Sequence, residues 1–252
     1  MTQLHQPGKL APHNPIADDG DDVHFCSTCA FGSVCLPAGL DKIALNELHM
    51  LVEHVGPFHA GDHIFRSGER FGALYAVRAG MVKTRQLDDE GHEQVLGFHL
   101  PGEMIGLDAI HPAKYPCDAI ALDTVFVCRF SFPALSMLAA KIPDVQQRLF
   151  DLLSADIGKS SRFSGDHTAD ERLAAFLLDL ANRYAARGFA SNAYRLVMPR
   201  ADIANYLRLA AETVSRVLRR FQDQGLIRVD GRELELTDKP ALLKLARHIL
   251  RD

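Results

Sequence analysis

The stretch "MPRADIANYLRLAAETVSRVLRRFQDQGLIRVDGRELELTD", residues 198–238, decides the fold. It divides into a helix over about Arg200–Leu207, a three-residue turn, a second helix over about Ala211–Asp223, and a hairpin turning near Asp230-Gly231. That order is a helix-turn-helix followed by a β wing. Within the second helix Val214, Val217, Leu218 and Phe221 form one apolar face, and Glu212, Ser215, Arg216 and Arg219 recur at i, i+3, i+4 and i+7 on the other. In a DNA major groove an Arg donates two hydrogen bonds to guanine, a Glu accepts from base amino groups, and a Ser adapts to either role. Arg220, Arg200 and Arg208 suit phosphates, which position such a module without reading sequence. Any amphipathic helix has a charged outer face, so the helix alone decides nothing. The preceding helix, the turn and the wing together point to double-stranded DNA.

Charge agrees with this. The chain carries a net charge of -4, but from Asp170 onward the balance is +4 and before it -8. A basic C-terminal module on an acidic protein fits a polyanionic partner. Upstream, "ADERLAAFLLDLANRYAARG", residues 169–188, places Leu173, Phe176, Leu177, Leu180 and Tyr184 on one helical stripe, with Gly188 ready to end it. The segment "FASNAYRL" after it reads as a loop, and "SSRFSGDHTAD" before it as a polar break with a domain boundary near Asp166. Earlier still, Pro143 opens a helix whose Val145, Leu149, Leu152, Leu153 and Ile157 make an apolar stripe suited to pairing with a second copy.

The region from Gly56 to Gly106 has another texture. Nine glycines separate short runs such as "DHIFRS", "ALYAVRA", "MVKTRQL" and "EQVLGFHL", followed by "DAIALDTVFVCRF". Short strands at this interval predict an antiparallel sandwich or jelly-roll barrel. "LDKIALNELHMLVEHV" spaces Ile43, Leu45, Leu48, Leu51 and Val52 as a short amphipathic helix ahead of it, and residues 1–22 lack any period and read as a flexible tail. The expected fold is therefore α+β. Its parts are a Cys-rich loop and barrel over 23–134, a dimerisation helix region over 135–165, and a winged helix-turn-helix over 166–252. No apolar run reaches the ~20 residues of a membrane span, and the expected location is the cytoplasm.

Three of five cysteines, Cys26, Cys29 and Cys35, fall within ten residues. An odd count crowded at one end does not resemble a secreted disulfide framework. The x2 and x5 spacing supplies three ligands from one loop, and a distant fourth completes the four-thiolate set that iron-sulfur clusters use. Cys117 and Cys128 are the two candidates for that fourth place. Zinc accepts four thiolates too, though structural zinc usually draws on two short Cys pairs. A thiol-disulfide switch without metal is the other reading of the trio.

"YRLVMPRADIANYLRLAAETVSRVLRRFQDQGLI", with "ETVSR" at its centre, resembles the DNA-binding domain of the CRP/FNR superfamily of bacterial transcription regulators in its FNR-type form. The resemblance runs from Cys26 to Leu236 and includes "FRSGERFGALYAVRAGMVKT" and "GFHLPGEMIGLDAI" in the barrel. It implies a non-enzymatic regulator with Glu212, Ser215 and Arg216 at the base-contacting positions, acting as a homodimer on TTGAT and ATCAA half-sites. It also implies a 4Fe-4S cluster on Cys26, Cys29, Cys35 and Cys128, since "DTVFVC" matches the family context of the fourth ligand. The family's mechanism is oxygen-responsive: intact cluster, dimer and DNA binding go together. RNA polymerase is the implied partner of the "QLDDEGHEQV" hairpin and the "FASNAYRL" loop. A cluster-free regulator answering to zinc, thiol oxidation or another ligand is the nearest alternative, and an iron-sulfur electron-transfer protein is the alternative of another class.

Three departures from the family stand out. The turn reads "NYLRL" where Gly is usual, which predicts Arg208 in a left-handed conformation. Nucleotide-binding relatives follow Gly-Glu with an Arg-Ser/Thr pair, whereas here Gly102-Glu103 is followed by "HPAKYPCDAIA", so no cyclic nucleotide is expected. After Ile157 the chain reads "GKSSRFSGDH", shorter and more polar than in relatives, with Ser160 near a usually acidic position; the lower half of the dimerisation helix is expected to fray.

Overall fold

Hydrophobic periodicity assigns most of the chain, and the computed structural model, which describes residues 26–161 and 165–250, shows where each segment goes. The expected tail over 1–22 lies outside the described residues, as does the side chain of Ser160. Helix α1 (Lys42–His49) starts where Asp41 accepts a hydrogen bond from the Ala44 amide at 2.8 Å. It ends sooner than its spacing predicts. Val52, expected on the helix, instead opens β1 (Val52–Phe58), where Val52 pairs with Phe130 and the β-branched Val55 with Val127 of β8, so the partner strand and not any alternation of its own sets this strand.

Two four-stranded antiparallel sheets follow. Strands β2 (His63–Phe65), β3 (Ala73–Ala79), β4 (Val82–Leu87), β5 (Glu93–His99), β6 (Met104–Ile105), β7 (Asp118–Ala121) and β8 (Val125–Ser131) order as β1-β8-β3-β6 and β2-β7-β4-β5. Between them Phe65, Val77, Val82, Ile105, Val125 and Val127 are buried, which makes the jelly roll. Gly80 turns β3 into β4 at φ +78°, where a Cβ would stand 2.4 Å from the Thr124 carbonyl oxygen. The run "DAIALDTVFVCRF" proves to be two strands, β7 and β8, parted by Leu122–Thr124.

Helix α2 (Phe132–Lys141) lies against the β1-β8-β3-β6 sheet, and α3 (Pro143–Ser161) packs on α2. One expectation about α3 is corrected. Val145 is fully buried in its own subunit, in one cluster with Leu36, Leu48, Leu74, Phe130 and Leu135, so it has no surface to offer a second copy. Leu149, Leu152 and Leu153 also pack against that cluster and are only partly exposed, whereas Phe150 (55 % exposed) and Ile157 (73 %) face outward. The helix therefore has two apolar faces, one for the subunit core and one unpartnered. It is continuous to Ser161.

The C-terminal module begins at α4 (Ala169–Ala185), opened by a capping box in which Thr168 and Glu171 satisfy each other's backbone amides. Helices α5 (Arg200–Leu207) and α6 (Ala211–Asp223) match the expected helix-turn-helix, and β10 (Ile227–Asp230) and β11 (Glu233–Leu236) the wing. The "FASNAYRL" loop contains a strand, β9 (Ala193–Arg195), which pairs with β11 and completes a three-stranded sheet. Three residues are too few to show a period, so only the partner strand reveals it. Helix α7 (Lys239–Ala246) packs on α4. Among the described residues no helix is long and apolar enough to cross a membrane.

Module and barrel are bolted together. Asn205 on α5 accepts from the Val95 amide at 2.7 Å and donates to the Glu93 carbonyl, extending the edge of β5. Lys83, 8 % exposed, reaches Glu93 at 2.8 Å and Asp202 at 2.9 Å.

Candidate cysteine centre and DNA-reading surface

The segment 26–40 is a chain of tight turns, closed by Gly32 N–H to the Cys29 carbonyl (3.0 Å) and by the Val34 and Cys35 amides to the Phe31 carbonyl (both 3.1 Å). Gly32 lets the turns wind closely: a Cβ there would meet the Cys26 and Cys29 carbonyl oxygens at 3.2 and 3.3 Å. The loop rests on the barrel at Gly102, where Val34 and Phe31 fill the space a side chain would take, and Phe31 meets Phe189 at 6.2 Å between ring centroids.

This placement brings four thiols together. Cys35 interacts electrostatically with Cys26, Cys29 and Cys128, and Cys128 in turn with Cys26 and Cys29. Burial pushes the Cys26 thiol up to about 11 and those of Cys35 and Cys128 up to about 12, and the neighbouring sulfurs push the same way. Thiols at Cys26, Cys35 and Cys128 that resist ionising beside one another suit a cationic centre, which reverses the sign of each neighbour's effect. No three of these sulfurs lie within 4.8 Å of one another among the described residues. A zinc tetrahedron with ~2.3 Å bonds has sulfur–sulfur edges of only about 3.8 Å, so the donor set fits a larger polynuclear group better. Beside Cys128, across the β1–β8 ladder, His54 Nδ1 stands 3.5 Å from its sulfur, a neighbour that the cysteine spacing gave no means of finding.

Cys117 is elsewhere. It is 1 % exposed between the two sheets, and its sulfur donates to Asp108 at 3.6 Å. Burial and then the Asp108 carboxylate push its thiol far up. It belongs to the apolar cluster of Phe65 and Val127 rather than that of Cys35.

On α6, Val214, Val217, Leu218 and Phe221 are buried and Glu212, Ser215, Arg216 and Arg219 exposed. Arg216 lies 3.7 Å from Glu212, and the Ser215 hydroxyl donates to the Ala211 carbonyl, so these side chains rest on their own helix. The cations assigned to phosphates differ among themselves. Arg208 adopts the left-handed conformation at φ 55°, ψ 47°, exposed at the rim of a crevice of about 230 Å³ between module and barrel. Arg200 is half-buried at the start of α5, and its Nη1 has no hydrogen-bond partner among the described residues. Arg220 is paired with Asp170 of α4.

The model of the Crp-like helix-turn-helix domain matches residues 171–245, and that of the cyclic nucleotide-binding domain matches residues 56–141. The chain is 39 % identical over 246 residues to the transcriptional activator protein Anr of Pseudomonas protegens, covering 96 % of this chain and 98 % of that one. It is 37 % identical over 236 residues to the fumarate and nitrate reduction regulatory protein of Escherichia coli K12, covering 92 % and 94 %. The chain belongs to the CRP/FNR family and is of the FNR type. A third relative, 37 % identical over 233 residues and covering 91 % and 90 %, is the anaerobic regulatory protein of Haemophilus influenzae. Among solved structures, FixK2 from Bradyrhizobium japonicum superposes with a TM-score of 0.71 at 28 % identity, over 77 % of this chain and 96 % of that one. The protein is thus a DNA-binding transcription regulator and not an enzyme.

One carboxylate joins barrel and module, that of Glu103. In this CRP/FNR chain the carboxylate of the Gly-Glu turn is committed: Arg183 reaches it at 2.5 and 2.9 Å and Arg187 at 2.8 Å, both from α4 or its end. The same guanidinium groups donate to the Phe98 and Pro101 carbonyls. Burial alone would push the Glu103 carboxyl up, but the Arg183 charge and hydrogen bonds hold it well below the usual carboxylate range. Glu103, on the barrel, thereby fastens the DNA-binding module.

Proposed function

We propose that this chain is an oxygen-responsive regulator that holds a 4Fe-4S cluster on Cys26, Cys29, Cys35 and Cys128. In that state it binds FNR-type palindromic DNA as a homodimer in the cytoplasm. The observation that carries the reading is the approach of Cys128, on the last barrel strand, to the N-terminal trio. The relatives support it, since one is named as an anaerobic regulator and another for fumarate and nitrate reduction. When bound, the cluster supplies an oxygen-labile tie between the cysteine loop and β8.

The chain's own residues do the rest. Phe150 and Ile157 on α3 meet their counterparts in a second copy, which sets two α6 helices one helical turn of DNA apart. Glu212, Ser215 and Arg216 read base edges, and Arg219, Arg208 and the outer part of Arg200 meet phosphates. Because both half-sites are bound only by the dimer, a modest change in dimerisation free energy becomes a large change in operator occupancy. The β4–β5 hairpin, where Asp88 accepts from the Glu90 and His92 amides, and the loop ahead of β9 present solvated surfaces to RNA polymerase.

The test is purification without oxygen, absorption spectroscopy, and binding to an FNR-type palindrome before and after air. Brown protein whose DNA affinity collapses in air is expected. Colourless, iron-free protein that binds the site equally in air would overturn the reading.

A further inference from the structure

The cysteine centre and the outward stripe of α3 meet at one joint, and a polar side chain crosses it. Arg148 on α3 donates from Nε at 3.3 Å and from Nη2 at 2.9 Å to the backbone carbonyl of Cys35. The loop is held to the same helix by apolar contact. Cys35 is 8 % exposed and Leu36 wholly buried, in the cluster that takes up Val145 and receives Leu149 and Leu152. Past this joint the packing opens. A crevice of about 210 Å³ runs between α3 and the barrel, lined by Val34, Met104, Leu107, Arg148, Leu152 and Lys159. Close packing transmits displacement and an open crevice leaves room for it. Helix α3 is thus gripped near its start and loosely seated beyond.

We propose that Arg148 is the positioning residue that passes the state of the cysteine centre to the dimer face of α3. A fork of two N–H groups on one carbonyl oxygen fixes the direction of that carbonyl as well as its distance. The carbonyl belongs to Cys35 itself, so a change in what the Cys35 sulfur holds turns the peptide that Arg148 grips. Phe150 and Ile157 lie on the opposite side of the same helix and move with it. This role rests on the function proposed above, and a single experiment separates the two.

Full-length wild type, Arg148→Met and Arg148→Lys are prepared without oxygen, with iron and after its removal. Iron per subunit is counted, and dimer dissociation constants are measured by sedimentation. Met keeps the aliphatic stem and removes every donor, and Lys restores one. The expected result is wild-type iron content in all three, with the iron-dependent change in the dissociation constant reduced tenfold or more in R148M and partly recovered in R148K. R148M with wild-type iron dependence, R148K no better than R148M, or loss of iron from R148M would each overturn the role of Arg148 alone. Wild-type protein that holds no iron would overturn the proposed function, and this role with it.

Discussion

Arg208→Gly should stabilise this protein, a rare outcome for a substitution in a DNA-binding turn. Arg208 follows the last residue of α5 in a Schellman arrangement: its amide bonds to the Asn205 carbonyl at 3.0 Å, and the Leu209 amide bonds to the Ala204 carbonyl at 2.8 Å. Those bonds force φ to 55° and ψ to 47°, where a Cβ crowds the following carbonyl. The strain is worth about 1–2 kcal/mol. Glycine's greater freedom in the unfolded chain returns about 0.5–1 kcal/mol of that. The net gain is therefore about 0.5–1 kcal/mol, or roughly a 2 °C rise in thermal midpoint for a chain of this size. Thermal unfolding at fixed protein concentration and iron state reads it. Arg208→Ala is the control, since it removes the guanidinium and keeps the Cβ. It should bring no gain. A midpoint unchanged or lowered by glycine, or raised equally by alanine, would refute the strain argument. Both variants lose the proposed phosphate contact, so both should flatten the salt dependence of DNA binding, by a slope of about 0.9 per contact.

Further outcomes follow from the same structure. Glu103→Gln removes the counter-charge that Arg187 uses and leaves Arg183 with Asp179 alone; it should cost about 3 kcal/mol and lower the thermal midpoint by roughly 6–12 °C. A midpoint within a degree of wild type would mean that the ion triad does not hold the module. His99 is half-buried beside Thr84, and desolvation there lowers its pKa from 6.5 to about 4. Between those values the unfolded chain binds a proton that the folded chain refuses, so stability falls as pH falls, by about 1–2 kcal/mol from pH 7 to pH 5. Urea midpoints should show that loss in wild type and a smaller one in His99→Gln; equal losses contradict the assignment. Ile157→Asp puts a carboxylate on the outward stripe of α3 and should weaken the iron-loaded dimer tenfold or more in sedimentation, with unchanged circular dichroism of the subunit. An unchanged dimer would place the interface elsewhere.

The helix-turn-helix was legible almost to the residue, because both of its helices carry full apolar stripes and the hairpin has its own Asp230-Gly231 turn. Arg208 was legible for a related reason: "NYLRL" occupies a place that the backbone reserves for positive φ. Elements set by their partners were not. Val52 continues a helical spacing and shows no strand alternation until β8 pairs with it, and β9 is too short to show any period. The stripe on α3 was read as a single face because sequence spacing counts apolar residues and not what covers them. Val145 belongs inside, and Phe150, absent from the expected stripe, is outside. The Arg183–Glu103–Arg187 triad had no local signal, since its members meet only through the docking of two domains. The spacing of the cysteines offered three candidate ligands and left Cys117 and Cys128 open for the fourth; the family resemblance pointed to Cys128, and Cys117 lies apart in the other apolar cluster.

The most direct measurement is therefore iron stoichiometry in anaerobically purified wild type, Cys128→Ser and Cys117→Ser. The account predicts about four iron atoms per subunit in wild type and in C117S, with the iron and its visible absorption lost from C128S. Iron retained by C128S and lost from C117S, or absent from all three, would contradict it.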